Sequence, residues 1–166
     1  MITILGIDPG LAATGVGVIR GRGTTVAHFA YGTICTTPDM ALEARLAKIY
    51  RRLLSVLTEE APDQMVVEDV FSLQRYPKSG ILLGQVTGIV RLAAYESGVP
   101  VLDVAVREAK MVLTGNGNAG KRQLEQAVRH VLRTDRPISP LHASDALGLA
   151  LVGLYRWPGG VAGKGC

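Results

Sequence analysis

The sequence predicts a single α/β domain in which helices flank a mixed five-stranded sheet. Its 166 residues suffice for one domain with a sizeable core, and with 48% apolar and 19% charged residues the chain is not of the disordered class. The first three predicted strands follow one another without a helix, whereas each of the last two follows a helix. Antiparallel pairing is therefore expected first and parallel crossovers afterwards.

The N-terminal part contains three predicted strands and an amphipathic helix. Thr3–Ile7 is a short apolar run, as expected of a central strand buried on both faces. Residues 14–20 and 24–34 are predicted to form a hairpin around a turn at residues 21–23. Asp39 is the predicted N-cap of the helix that follows. Apolar residues at three- and four-residue spacing define this helix, namely Leu42, Leu46, Ile49, Leu53 and Val56.

The C-terminal part is predicted to alternate strand and helix and to end in three helices. The predicted elements are a strand at Met65–Val67, a helix at 79–97, a strand at Val99–Val104, and helices at 106–113, 121–133 and 140–155. Ser139 and Pro140 fit the N-cap and first position of the last helix, which is apolar nearly all round and should lie in the interior. The domain therefore spans residues 1–155, and residues 156–166 are expected to form a flexible glycine-rich tail.

Charge and cysteine usage narrow the function classes. The formal charge is +4, and between Arg107 and Arg136 seven basic residues stand against three acidic ones, as a local polyanion-binding face requires. Cys35 and Cys166 have no metal-ligand spacing and offer no disulfide framework. The N-terminus lacks the basic region of a secretory signal, and no uncharged apolar run reaches the ~18 residues that span a membrane. We therefore expect a cytoplasmic protein.

Three carboxylates occupy positions that favour a functional site. Asp8 and Glu68 each follow a buried apolar strand, and if those strands are parallel neighbours, both side chains emerge at the sheet edge where α/β proteins bind ligands. Taken alone, Asp8 is better explained as a turn residue, since Pro9 and Gly10 follow it. Asp145 lies in an apolar helix, where a carboxylate costs several kcal/mol unless a cation meets it. That cation is either a Lys or Arg side chain or a divalent metal shared with the other two carboxylates.

The motifs around these carboxylates resemble those of the RuvC-type Holliday-junction resolvases. The resemblance rests on residues 5–10 (LGIDPG) with 14–17 (TGVG), on 67–71 (VEDVF) and on 143–147 (ASDAL), and it extends from about residue 3 to 154. It implies a ribonuclease H-like fold, a homodimer and paired incision of four-way DNA junctions in recombination and repair, leaving 5′-phosphate and 3′-hydroxyl ends. It also implies two Mg²⁺ or Mn²⁺ ions and a branch-migration helicase as partner.

Four positions carry over as the metal site that this resemblance implies. Asp8, Glu68 and Asp145 match the metal-binding carboxylates, whereas His142 stands where the family commonly has a fourth acidic residue. His142 and Asp145 are three residues apart and share a helix face. The imidazole could therefore bind the metal, transfer a proton or be a bystander, and as a ligand it would make Mn²⁺ more acceptable.

The resemblance also assigns side chains to the DNA. Lys110 and Lys121 would approach the phosphates beside the metal site, although without the resemblance they would be read as solvated surface lysines. Arg122, Arg129 and the neighbouring Arg133 are predicted on or near the exposed stripe of Lys121, as phosphate contacts. Three residues of the loop after Glu68 are predicted at the junction crossover, where an aromatic ring stacks on unpaired bases: Phe71, Arg75 and Tyr76.

Spacing alone leaves other interpretations open. Gly80, Gly84 and Gly88 lie on one helical stripe, which could pack either against the chain's own sheet or against a second copy. Another ribonuclease H-like nuclease is the nearest rival function. The actin and sugar-kinase superfamily shares an Asp-x-Gly loop but needs two such domains. A DNA-binding protein without chemistry would explain the basic face but not Asp145.

Overall fold

The computed structural model describes residues 1–69 and 77–158, and the predicted order of elements is confirmed. The strands are β1 (Ile2–Asp8), β2 (Ala13–Arg22), β3 (Thr25–Cys35), β4 (Gln64–Glu68) and β5 (Val101–Val104). The helices are α1 (Leu42–Glu60), α2 (Pro77–Glu96), α3 (Val106–Thr114), α4 (Lys121–Leu132) and α5 (Leu141–Arg156). The tail predicted at 156–166 lies outside the described residues from 159 onward.

Most helix bounds shift by one or two residues from the predictions, and three residues predicted at helix ends take other roles. The N-cap of α1 is Ala41 rather than Asp39, because the Asp39 carboxylate is hydrogen-bonded to Thr37 in the preceding turn. The N-cap of α5 is Pro140 rather than Ser139, since Pro140 keeps an extended ψ of 169° and its carbonyl accepts the N–H of Ala143. Arg133 is not helical, because its φ of 52° makes it the left-handed C-cap of α4.

The five strands form one mixed sheet in the order β3-β2-β1-β4-β5. β1 pairs antiparallel with β2 and parallel with β4, and β4 pairs parallel with β5. Ile7 of β1 lies opposite Val67 of β4. The carboxyl ends of these two central strands therefore meet at the same edge of the sheet.

Helix α5 lies directly on the sheet because glycines remove the side chains between them. A Cβ at Gly6 would come within 2.0 Å of the Ala146 carbonyl oxygen, and one at Gly15 within 2.0 Å of the His142 carbonyl oxygen. α5 is buried from Ala146 to Leu154, which confirms the prediction of an interior helix. The close approach brings the first turns of α5 to the edge where β1 and β4 end.

The two faces of the sheet carry separate apolar clusters. α3, α4 and α5 pack on one face, around Leu124, Val128 and Leu147. α1 and α2 pack on the other, around Leu53 and Val86. Within the ranges given above, the chain has no helix with both the length and the apolar character needed to cross a membrane.

Candidate active site

The structure brings Asp8 and Glu68 together at the edge of the sheet. Asp8 is the last residue of β1 and Glu68 the last residue of β4, and the two strands are parallel neighbours. Asp8 is 6% exposed. The two carboxyl groups are hydrogen-bonded to each other.

Helix α5 adds His142 and Asp145 to this edge from its first two turns. Nδ1 of His142 lies 2.7 Å from Oδ2 of Asp8. One ligand atom from each of Asp8, His142 and Asp145 lies within 4.8 Å of the other two. The three side chains can therefore surround a single cation. Glu68 lies beside them, hydrogen-bonded to Asp8.

Burial opposes negative charge throughout the cluster. Desolvation, the hydrogen bond to Asp8 and the negative charge of Asp8 together raise the pKa of Glu68 to about 8. Burial also raises the pKa of Asp8, which the hydrogen bond from Glu68 partly offsets. The pKa of Asp145 rises through burial as well, and Lys121 counteracts that rise. In the metal-free protein, burial and the shared hydrogen bond therefore favour a proton held by the Asp8–Glu68 pair.

Among the lysine and arginine side chains that the structure describes, the one paired with this cluster does not neutralise it. Nζ of Lys121 is 4.0 Å from Oδ2 of Asp145, and the Lys121 side chain is 61% exposed. An ion pair of that length and exposure is worth little. Lys110 favours the charged form of Asp145 more weakly still. The salt bridge considered for Asp145 therefore leaves most of the desolvation cost in place.

The predicted DNA-contacting residues differ in exposure, and three of them lie outside the described residues. Arg122 is exposed on α4, one residue after Lys121. Arg129 lies two turns after Arg122 on α4, but its side chain is only 26% exposed and its Nε lies 2.8 Å from Oε1 of Glu125. Its phosphate contact stays a prediction. The loop that holds three further predicted contacts lies outside the described residues: Phe71, Arg75 and Tyr76.

Glu125 is a buried charged residue near the start of α5 that the sequence motifs do not single out. It is 8% exposed on the inner side of α4 and accepts the backbone N–H of Ile138 at 3.0 Å. A signal was present, since Glu125 lies three residues before Val128 and seven before Leu132, on the helix's apolar stripe. A charged residue on such a stripe indicates a buried polar partner.

The fold and the cluster define a class, that of ribonuclease H-like proteins with an acidic sheet edge that could hold a metal ion. The solved chain of the yeast mitochondrial Holliday junction resolvase Ydc2 is similar in fold alone, with a TM-score of 0.61 and 11% identity over 93% of this chain and 78% of that one. The sequence profile described as crossover junction endodeoxyribonuclease RuvC matches residues 4–153. The chain therefore belongs to the RuvC family.

Individual relatives agree with this assignment. Crossover junction endodeoxyribonuclease RuvC of Thermotoga petrophila is 35% identical, over 89% of this chain and 88% of its own. The corresponding protein of Salinispora arenicola is 38% identical, over 97% and 91%. Thermus thermophilus RuvC, solved in complex with Holliday junction substrate, has a TM-score of 0.87 and 31% identity over 93% of this chain and 94% of that one.

Proposed function

We propose that this chain is a structure-selective endodeoxyribonuclease that resolves four-way DNA junctions by paired, metal-dependent hydrolysis of phosphodiesters. The products would carry 5′-phosphate and 3′-hydroxyl ends, and the role would lie in DNA recombination and repair. One observation carries the proposal: in a chain of the RuvC family, the ligand atoms of Asp8, His142 and Asp145 lie within 4.8 Å of one another.

The side chains of the cluster fit a hard divalent cation. Asp8, Glu68 and Asp145 offer carboxylate oxygens and His142 a ring nitrogen. Burial raises the pKa of all three carboxyls, and a bound cation would relieve that cost. We assign two Mg²⁺ or Mn²⁺ ions to these four residues, and the nitrogen favours Mn²⁺ more than an all-oxygen site would. When bound, the ions would supply an activated water and stabilise the leaving 3′-oxygen.

The chain's own side chains would position the DNA and handle protons. Lys110 and Lys121 act electrostatically on Asp145, which supports a role for both lysines in binding the reacting phosphate. Arg122 would hold the phosphate backbone without reading sequence. His142 would bind the ion or transfer a proton, since its Nδ1 contacts Asp8 directly.

Three loop residues belong to the proposal on family resemblance alone. Phe71 would stack on an unpaired base at the junction crossover, with Arg75 and Tyr76 beside it. A cytoplasmic location and a branch-migration helicase complex rest on the same resemblance.

A second copy of the chain would complete the assembly through α2. Ile81, Leu92 and Tyr95 of α2 are 65%, 48% and 82% exposed. Gly84 and Gly88 lie on the same face, and a Cβ at either would meet no described atom within 4 Å. Because the apolar stripe lacks cover from the described part of its own chain, we propose that it packs against its symmetry mate and presents two active sites to opposed strands.

The nuclease proposal is tested with defined substrates. The purified protein is incubated with a synthetic four-way junction, a linear duplex of the same sequence or an RNA–DNA hybrid, with Mg²⁺ or Mn²⁺, and the cleavage positions are mapped. We expect paired nicks in opposed strands of the junction and an intact duplex. Preferential cleavage of the hybrid would instead indicate another ribonuclease H-like activity.

A matched pair of variants tests the chemistry. Asp145→Asn should slow cleavage at least about 100-fold, since metal ligation supplies several kcal/mol. Junction binding should persist, because neutralisation of phosphates supplies most of the affinity. Asp103→Asn, which loses only an exposed ion pair with Arg91, should cleave normally. Wild-type cleavage by Asp145→Asn protein would refute the metal assignment.

A further inference from the structure

Glu125 is a charged residue in an apolar environment outside the metal cluster. It is 8% exposed, while its neighbours on the inner side of α4, Leu124 and Val128, are 2% and 0% exposed. A carboxylate in such a position is costly unless its oxygens are bonded. The partners of the Glu125 carboxylate therefore indicate why a charged residue is buried at this position.

Those bonds fix the loop that joins α4 to α5. Oε1 of Glu125 accepts the backbone N–H of Ile138 at 3.0 Å and lies 2.8 Å from Nε of Arg129. Nη1 of Arg129 in turn donates to the carbonyl oxygen of Asp135 at 3.3 Å. Ile138 belongs to neither a helix nor a strand and is 3% exposed. Its buried N–H is thus satisfied by Glu125 instead of by regular secondary structure.

The anchored loop leads directly into the metal cluster. Ile138 precedes the first residue of α5 by three positions, and His142 and Asp145 are the second and fifth residues of that helix. The sheet fixes the same helix start on its other side, where the backbone of His142 lies against Gly15. The start of α5 is consequently held between two fixed points, the sheet glycines and Glu125.

We propose that Glu125 is a positioning residue of the metal centre. By fixing the start of α5 it keeps His142 and Asp145 at metal-binding distance from Asp8. Ligands of a metal site must be held to about 0.5 Å, and misplacement by about 1 Å can cost a factor of 100. The inference rests on the proposed function, and it assigns to α4 a second task beside presenting Lys121 and Arg122.

Two substitutions at one position separate the hydrogen bond from the charge. Glu125→Gln keeps an oxygen that can accept the Ile138 N–H, whereas Glu125→Leu removes it. Leu53→Ala serves as a control for general loss of stability, since Leu53 is 0% exposed in the cluster on the opposite face of the sheet. All four full-length proteins are compared well below their melting temperatures.

Two measurements are made without DNA. Amide hydrogen exchange over residues 142–146 of the metal-free protein reports the order of the α5 start, and titration with Mn²⁺ alone reports metal affinity. We expect Glu125→Leu to accelerate exchange there at least about tenfold and to weaken Mn²⁺ binding about tenfold, as loss of outer-shell partners does. Glu125→Gln and Leu53→Ala should stay within about threefold of wild type on the same scale.

The outcomes separate this inference from the proposed function. Unchanged exchange in Glu125→Leu, or equal acceleration in Leu53→Ala, would overturn the positioning role. Wild-type protein that binds no Mn²⁺ would overturn the metal assignment, while the exchange comparison would still decide whether Glu125 orders the start of α5.

Discussion

Helices α5 and α2 are both rich in glycine and apolar residues, yet they are buried very differently. α5 is buried throughout from Ala146 to Leu154. α2 buries Val86 and Val90 but leaves Tyr95 82% exposed. Composition thus does not decide burial here. The difference lies in what the rest of the chain offers each helix as a partner.

Glycine contacts show the same contrast. Where α5 meets the sheet, a Cβ at Gly17 would lie 2.6 Å from the backbone nitrogen of Leu147, so the glycine exists to let two backbones touch. On α2, a Cβ at Gly88 would meet no described atom within 4 Å. The sheet glycines under α5 therefore serve packing within the chain, whereas the exposed Gly88 of α2 is free of such contacts among the described residues.

The largest effect on stability is expected from adding a Cβ where the sheet contacts α5. Gly17→Ala should lower the free energy of unfolding by about 3 kcal/mol, because a backbone cannot give way as a side-chain end can. Cleavage should fall with it, since α5 carries His142 and Asp145. Gly32→Ala is the control, as β3 leaves open space there among the described residues. Urea unfolding of both variants checks the prediction, and equal stabilities would contradict the close contact.

A smaller effect on stability is expected from pH, because the carboxyl groups of α5 and of the strand ends are buried. The pKa of Glu68 is raised from 4.5 to about 8 in the folded, metal-free protein. The stability that depends on protonated Glu68 is therefore fully present below pH 4.5, and it is lost as the pH rises through 8. Asp8 and Asp145 are shifted in the same direction. Stability should therefore fall by about 2 kcal/mol between pH 5.5 and 7.5, within the limit of about 1.4 kcal/mol per pH unit for one proton.

Glu68→Gln provides the comparison for this pH dependence. The variant cannot ionise at position 68, so its unfolding free energy should vary less with pH than that of the wild type. Added Mg²⁺ should reverse the trend in the wild type, because metal binding displaces the proton and becomes tighter as pH rises. Stability of the metal-free wild type that increases over this range would show that Glu68 is ionised there.

His142 lies at the exposed end of α5, and substitutions there show whether cleavage needs the imidazole. Its side chain is 43% exposed, and its Nδ1 contacts Asp8. His142→Ala should reduce cleavage about tenfold, equivalent to about 1.4 kcal/mol, with little effect on melting. His142→Asp should retain more of the Mg²⁺-dependent rate, because a carboxylate is a suitable ligand for that ion. Equal, undiminished rates for both variants would make His142 a bystander.

Much of the fold could be predicted because its signals are local. The apolar runs before Asp8 and Glu68 predict strands, and their shared edge follows from parallel pairing. The N-terminal end of α1 could not be predicted in this way, since the Asp39 carboxylate is hydrogen-bonded within the preceding turn instead of capping the helix. Whether a polar residue caps a helix depends on which neighbouring group it is hydrogen-bonded to, and spacing alone does not reveal this.

The candidate metal cluster and Glu125 differ in the same respect. Asp145 was identifiable because a carboxylate in an apolar helix requires a cation. The pairing of Glu125 with Arg129 and Ile138 was not identifiable, because it joins a helix face to a loop whose path no periodicity describes. For the same reason, the spacing that predicts Arg129 as a phosphate contact does not reveal its ion pair with Glu125.

The smallest effect on the single chain, and the sharpest test of α2, is expected from Gly88→Glu. Replacing an exposed helical glycine by glutamate should raise the stability of the isolated chain by about 0.5 kcal/mol, because glutamate has the higher helix propensity. The same change places a long charged side chain between two symmetry-related helices. If α2 forms the dimer interface, the dimer dissociation constant should rise at least about 100-fold, as burying an unpaired charge costs about 3 kcal/mol or more. Arg51→Glu, on the exposed side of α1, introduces the same residue away from the stripe and should leave the dimer intact. Sedimentation velocity over a concentration series measures both variants. A wild type that is monomeric at all concentrations, or a Gly88→Glu protein that dimerises as tightly as the wild type, would remove α2 from the interface.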